Sequence, residues 1–211
     1  MNKITAALFD LDGTLIDSEK WVKGSFEHVF QLFGIHPDRR NHGTKALSGL
    51  TLRETYASVA DPDKILAMTR AHVEFQANNL HLVTVFGDVI ESLRELRSLG
   101  IRTGVITNRS VNARSIMEHC GMGGLIDLTV SVEDVTHPKP HPEGILKALK
   151  HFGAAPDQAI MVGDMAPDVI AGRAAGVVTV GVDTSNQFEA LMDSEPNHLV
   201  HTMKDLIPLF W

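Results

Sequence analysis

The chain has 211 residues, a formal net charge of -7 and a hydrophobic share of 44%, which suits one globular core carrying a modest insertion. The mild acidity argues against a nucleic-acid-binding surface, which needs clustered lysine and arginine. The single cysteine, Cys120, excludes an internal disulfide, and no apolar run suits a signal peptide or membrane span. A soluble cytoplasmic protein is therefore expected; its oligomeric state stays open, and a monomer is compatible with the sequence.

The first predicted element is a buried strand. Ile4–Phe9 is a nearly continuous apolar run that stops at Asp10. Runs of this kind are typical of strands buried on both faces of a parallel sheet.

Residues 16–81 contain helical patterns and no run that resembles a strand. An amphipathic stripe of Val22, Phe26, Val29, Phe30 and Phe33 is followed by Gly34, and two further helical patterns follow around Tyr56 and Val73. We predict an all-helical cap over residues 16–81, with residues 1–15 and 82–211 forming the core. Arg53 lies in this cap, where it could contact a substrate or pair with Glu54 on the surface.

From residue 82 onward, strands and helices alternate. The predicted strands are Ile101–Ile106, Leu128–Val132, Ala159–Val162 and Val177–Val182. Helical patterns lie between them and end at Gly100, Gly121, Gly153 and Gly176, with Ser110 as the predicted cap of the second. The alternation predicts a doubly wound parallel α/β sheet, Rossmann-like, with helices on both faces, and Thr202–Trp211 is predicted as a final helix.

Polar and charged residues follow four of these strands. They are Asp10, Asp12, Gly13 and Thr14 after the first, Thr107 and Asn108 after the second, Lys139 beyond the third, and Asp164 and Asp168 after the fourth. In an open α/β sheet, ligands bind at the carboxyl ends of the strands. These side chains are therefore predicted to meet on one rim of the sheet.

The carboxylates of this rim predict a Mg²⁺ site, because Mg²⁺ prefers carboxylate, water and phosphate oxygens. Asp10 and Asp164 are candidate ligands, and the carbonyl oxygen of Asp12 can supply another. Asp168 either binds the metal through water or orients its neighbours. Carboxylates that converge without a cation would repel one another, which itself favours a metal.

The same residues suit a covalent route. An oxygen of Asp10 can attack phosphorus, while Asp12 protonates the leaving oxygen and later deprotonates the hydrolytic water. Thr107 and Lys139 would neutralise and orient the phosphoryl oxygens. Gly13 permits a tight turn in which nearby N–H groups point at the phosphate.

Four segments resemble the motifs of the haloacid dehalogenase-like hydrolases, in order and at strand ends. They are Phe9–Thr14, Ile106–Asn108, Lys139–Pro140 and Val162–Asp168. The closest layout is that of the phosphoglycolate phosphatase-like branch, which includes β-phosphoglucomutases. The resemblance implies Asp10 as nucleophile and Asp12 as acid/base. It also implies metal ligation by Asp10, Asp12 and Asp164, with Asn108 beside the substrate.

The resemblance implies a phosphatase acting on a small phosphorylated metabolite such as phosphoglycolate or a sugar phosphate. The presence of Asp12 favours phosphate chemistry over C–halogen chemistry, because dehalogenases of this family lack that aspartate. Two alternatives stay open at this point: a phosphosugar mutase using the same aspartates, and a non-catalytic binding module on the same fold.

Overall fold

The structure is a computed structural model that describes residues 3–35, 52–109, 112–184 and 188–210. Its strands are β1 (Ala6–Phe9), β2 (Ile16–Asp17), β3 (Thr84–Val85), β4 (Arg102–Ile106), β5 (Leu128–Val130), β6 (Ala159–Gly163), β7 (Val178–Val182) and β8 (His198–Val200). Its α-helices are α1 (Glu19–Leu32), α2 (Leu52–Ala57), α3 (Pro62–Asn78), α4 (Val89–Ser98), α5 (Ala113–His119), α6 (Glu143–Phe152), α7 (Ala166–Ala175) and α8 (Phe188–Asp193). Short 3-10 helices span Leu80–Leu82, Val132–Asp134, Pro156–Gln158 and Met203–Phe210.

Six of the strands form a parallel sheet in the order β5-β4-β1-β6-β7-β8. The chain moves outward from β1 through β4 to β5, and then returns to the other side of β1 for β6. Phe9, the last residue of β1, pairs with Val105 on one side and Val162 on the other. The doubly wound sheet is thus confirmed, and its switch point lies at the carboxyl end of β1, where such folds bind ligands.

Alternate residues of the central strand face opposite layers of the core. Ala7 and Phe9 belong to one buried apolar cluster, and Ala6 and Leu8 belong to the other. Helices α4 and α5 with the C-terminal 3-10 helix cover the first face, and α6 and α7 cover the second. Burial on both faces explains why the strand reads as an uninterrupted apolar run.

Helices α1, α2 and α3 pack around an apolar cluster of their own. Its buried members are Phe26, Val29, Phe30, Ile35, Tyr56, Val59 and Met68. The division into a cap at 16–81 and a core remains a prediction, because segments between these helices lie outside the described residues.

The prediction that residues 16–81 hold no strand is wrong at their start. Ile16 and Asp17 form β2, which pairs antiparallel with β3. Ile16 is buried in the core cluster rather than in the cluster of α1–α3. Two residues are too short for any periodic signal, so this ribbon is fixed only by its partner strand.

The C-terminal region also departs from expectation. The edge strand β8 has three residues, of which only Val200 is buried, and it was not predicted. The final segment is helical, but Met203–Phe210 forms a 3-10 helix with Pro208 inside it. Proline lacks the N–H that an α-helix needs at that position. The predicted cap Ser110 and the terminal Trp211 lie outside the described residues.

Within the described parts of the chain, none of the helices combines the length and the apolar character that crossing a bilayer requires.

Candidate active site

Asp10 leaves the sheet at the switch point. Its backbone N–H donates to the carbonyl of Val162 over 2.9 Å, so the neighbouring strand β6 still holds the chain there. The residue is buried, with 8% of its surface exposed. The end of β1 therefore fixes the direction of this carboxylate.

Lys139 joins two of the predicted site aspartates. Its Nζ donates to Oδ1 of Asp10 over 2.7 Å and to Oδ1 of Asp168 over 2.6 Å. Burial alone would lower the pKa of Lys139, but the charges of the two carboxylates outweigh burial and raise it. The ammonium is therefore a permanent cation between Asp10 and Asp168.

Asp10, Asp164 and Asp168 form an acidic trio whose nearest carboxylate oxygens all lie within 4.8 Å of one another. All three side chains are buried. Burial, with the neighbouring carboxylates, raises the pKa of Asp10 well above its usual range. Burial and the charge of Asp168 raise the pKa of Asp164 to about 6.

The acidic trio fits a divalent cation. Three buried carboxylates contact or adjoin a single lysine, so acidic groups outnumber the cation, and their oxygens are the donors that Mg²⁺ prefers. Asp168 is already engaged, because Oδ1 accepts from Lys139 and Oδ2 accepts from the N–H of Met165 over 3.2 Å.

Gly13 and Thr14 shape the turn against Asp164. The hydroxyl of Thr14 donates to Oδ1 of Asp164 over 2.8 Å. Gly13 has a φ of +84°, and a Cβ at this position would lie 2.3 Å from Oδ2 of Asp164. Its own N–H donates to the carbonyl of Ile16 over 2.8 Å. Gly13 therefore contributes its conformation and its lack of a side chain.

Asp12 is held by partners of its own, Arg109 and Ser18. Nε of Arg109 donates to its Oδ2 over 2.8 Å, and Nη2 of Arg109 and the hydroxyl of Ser18 donate to its Oδ1. Burial alone would raise the pKa of Asp12, but the charge and hydrogen bonds of Arg109, with the bond from Ser18, lower it. A metal contact of Asp12 would thus involve its carbonyl oxygen.

Thr107 and Asn108 form hydrogen bonds with the backbone of Arg109 and Lys139. The amide of Asn108 donates to the carbonyl of Lys139 over 2.8 Å and accepts from its N–H over 3.0 Å. Thr107 is buried at the end of β4, and its hydroxyl oxygen accepts from the N–H of Arg109 over 3.1 Å. Asn108 thus acts on the backbone that carries Lys139, while the Thr107 hydroxyl lies beside Arg109.

The contact of Arg53 with a substrate stays a prediction. Arg53 lies exposed on the short helix α2, and among the described residues no hydrogen bond or ion pair joins it to the site.

Sequence reasoning missed Arg109, Ser18 and Trp21. The guanidinium carbon of Arg109 lies 4.7 Å from the ring centroid of Trp21, a fully buried residue of α1. The only signal for Arg109 was its place directly after Thr107 and Asn108. Its partner Asp12 is 97 residues away in the chain.

The chain is similar to known proteins along almost its whole length. A family model described as haloacid dehalogenase-like hydrolase matches residues 7–182. Pyrophosphatase PpaX of Bacillus velezensis is 34% identical over 209 residues, covering 97% of this chain and 95% of that protein. Pyrophosphatase PpaX of Oceanobacillus iheyensis is 31% identical over 210 residues, covering 98% and 96%.

Solved structures share the fold. A crystal structure described as a predicted phosphoglycolate phosphatase from Haemophilus somnus matches with a TM-score of 0.89 and 21% identity, with both chains fully covered. A haloacid dehalogenase-like family hydrolase from Streptococcus pneumoniae matches with a TM-score of 0.82 and 24% identity, again over both full chains. At these identities the likeness supports the fold alone.

Proposed function

We propose that this chain, which belongs to the haloacid dehalogenase-like hydrolase family and is a phosphatase, acts with Mg²⁺ on small phosphate compounds through a covalent phosphoryl-aspartate at Asp10. The observation that carries the proposal is the buried acidic trio held by Lys139 at the switch point of the sheet. A cytoplasmic location is part of the proposal, because small phosphorylated metabolites are found there.

The metal part of the proposal depends on charge. Asp10 and Asp164 would hold Mg²⁺, with the carbonyl of Asp12 as a further ligand and Asp168 orienting Lys139. Bound Mg²⁺ would neutralise the phosphate and favour attack by an anionic oxygen. Lys139 supplies a second positive charge to the phosphoryl oxygens, and the Thr107 hydroxyl orients them.

The proposed reaction has two displacements. In the first, an oxygen of Asp10 forms a bond to phosphorus while the bond to the leaving oxygen breaks, and Asp12, in its protonated form, gives that oxygen its proton. In the second, Asp12 takes a proton from water as the water oxygen attacks phosphorus. The P–O bond to Asp10 then breaks, which releases phosphate and restores both carboxyls.

The substrate class is a small phosphomonoester such as phosphoglycolate or a sugar phosphate, or pyrophosphate. Relatives at 34% and 31% identity are named as pyrophosphatases, which supports hydrolysis to free phosphate over phosphoryl transfer between sugar hydroxyls. The chain carries all the side chains that the two displacements need, which argues against a binding module without activity.

The test is phosphate release from pyrophosphate, phosphoglycolate and glucose 1-phosphate, each with Mg²⁺ and with a chelator. We expect release from at least one compound, its loss with chelator, and a fall of at least about a thousandfold in Asp10→Asn. The matched control is Asp61→Asn, which changes an exposed carboxylate paired with Lys64 and should leave the rate unchanged. Full activity in Asp10→Asn would contradict the covalent route.

A further inference from the structure

Arg109 is a mostly buried, oriented cation beside the proposed acid/base residue. Its side chain is 9% exposed, and Nε and Nη2 bind the two carboxylate oxygens of Asp12. The face of the Trp21 ring covers the guanidinium at 4.7 Å. A guanidinium held in this way presents a planar fork that suits a carboxylate or a phosphate.

Two cations contact the aspartates of the rim within the described parts of the chain, and they divide the site. Lys139 binds Asp10 and Asp168, so it lies on the side of the transferred phosphoryl group. Arg109 binds Asp12, whose proposed partner is the leaving oxygen. A leaving oxygen that comes within reach of Asp12 would therefore bring the atoms attached to it toward Arg109.

Asp12 is held on both of its carboxylate oxygens. Arg109 donates to Oδ1 and Oδ2, and Ser18 donates to Oδ1. A group that takes the place of Asp12 on the guanidinium would free the carboxyl to turn to the substrate. The group that replaces a carboxylate at least cost in charge and geometry is another carboxylate or a phosphate.

We propose that Arg109 binds a second anionic group of the substrate, a carboxylate or phosphate attached on the leaving-group side, and releases Asp12 in doing so. This inference rests on the proposed function of the site. It makes Arg109 the residue that selects substrates with a charged leaving group. Trp21 holds the guanidinium plane in place while its partner changes.

The inference is tested with a matched pair of substrates. Phosphoglycolate and 2-hydroxyethyl phosphate have the same chain length, and they differ in a carboxylate against a hydroxyl. The measured quantity is the ratio of kcat/KM for the charged compound to that for the neutral one. Because both leaving oxygens are primary alcohols that need the same proton, this ratio cancels any general effect of a variant on Asp12.

We expect Arg109→Met to lower this ratio by about tenfold or more, which is the loss typical of one hydrogen-bonded ion contact. Arg109→Lys keeps the charge and loses the fork, so its ratio should lie between those of wild type and Arg109→Met. The Lys variant also decides the question if Arg109→Met does not fold. Arg102→Met, at the exposed start of β4, the strand that precedes Arg109, is the control and should leave the ratio unchanged.

An equal fall for both substrates, with an unchanged ratio, would overturn the inference and leave Arg109 as a clamp on Asp12. A third arm with pyrophosphate identifies the anion. A larger fall for pyrophosphate than for phosphoglycolate in Arg109→Met supports a phosphate as the bound group, and the reverse supports a carboxylate. Absence of phosphate release from wild type would refute the proposed function instead, so the two failures are distinguishable.

Discussion

Replacement of Lys139 by Met should destabilise the fold even without substrate. The Nζ of Lys139 bonds Asp10 and Asp168, and the side chain is only 5% exposed. Met fills a similar volume but leaves the acidic trio without its cation. Breaking a buried ion pair by removing one partner costs about 3–5 kcal/mol.

For a domain of this size, that cost corresponds to a fall of about 6–20 °C in melting temperature. The control is Lys147→Met, which removes an exposed lysine paired with Glu143 over 3.1 Å and should cost about 0.5 kcal/mol. Urea unfolding at pH 8 with chelator present gives the free energy of unfolding of both variants. Added Mg²⁺ should then restore part of the stability of Lys139→Met, because a second cation can neutralise the trio.

The stability loss in Lys139→Met should depend on pH in a predictable direction. The pKa of Asp164 is raised to about 6 in the folded protein, so the folded state takes up a proton at a higher pH than the unfolded chain does. The charge of Lys139 lowers the pKa of both Asp10 and Asp164, so its removal raises both further, and the folded variant takes up protons at a higher pH than folded wild type does. The stability deficit of Lys139→Met relative to wild type should therefore shrink as the pH falls from 8 toward about 6. A deficit under about 1 kcal/mol at pH 8 would refute the view that Lys139 neutralises this cluster.

Two further predictions concern Gly13 and His72. Gly13→Ala should abolish activity, because its Cβ would lie 2.3 Å from Oδ2 of Asp164. The control is Gly100→Ala, which has a similar positive φ and no atom within 4 Å of the added Cβ. It should lower the free energy of unfolding by about 1 kcal/mol and leave activity intact. Phosphate release and urea unfolding check both, and an active Gly13→Ala would contradict the close approach. Burial, with the charge of Arg109, lowers the pKa of His72 to about 3 in the folded protein. Between that pH and about 6.5, the ordinary pKa of histidine, the unfolded chain binds a proton that the folded protein does not. Stability therefore falls as the pH falls through this range. Between pH 7 and pH 5, wild type should lose about 2 kcal/mol more than His72→Phe in urea unfolding, and equal losses would argue that His72 is not neutral.

The central strands could be predicted because burial on both faces leaves an unbroken apolar run. That signal is present in β1 and β6, each of which is buried along its whole length. It is absent from β2 and β3, which have two residues each, and from the three-residue edge strand β8. Short or edge strands are fixed by their partners rather than by their own sequence.

The site was predictable as far as strand order brings chain-distant residues together. Aspartates at the ends of β1 and β6 must meet if those strands are neighbours, so Asp10 and Asp164 could be paired from the sequence. The orientation of a side chain has no such rule. The bond from Arg109 to Asp12 depends on rotamers and on the ring of Trp21, and neither is encoded in strand spacing.

The Trp21–Arg109 contact also provides an intrinsic fluorescence probe of the site. The sequence holds two tryptophans, Trp21 and Trp211, and the indole of Trp21 is fully buried with a guanidinium over its face. Indole emission responds to charge close to the ring, so an exchange of partners at Arg109 would change the fluorescence of Trp21. In a Trp211→Phe background, stopped-flow emission could follow ligand arrival without a label.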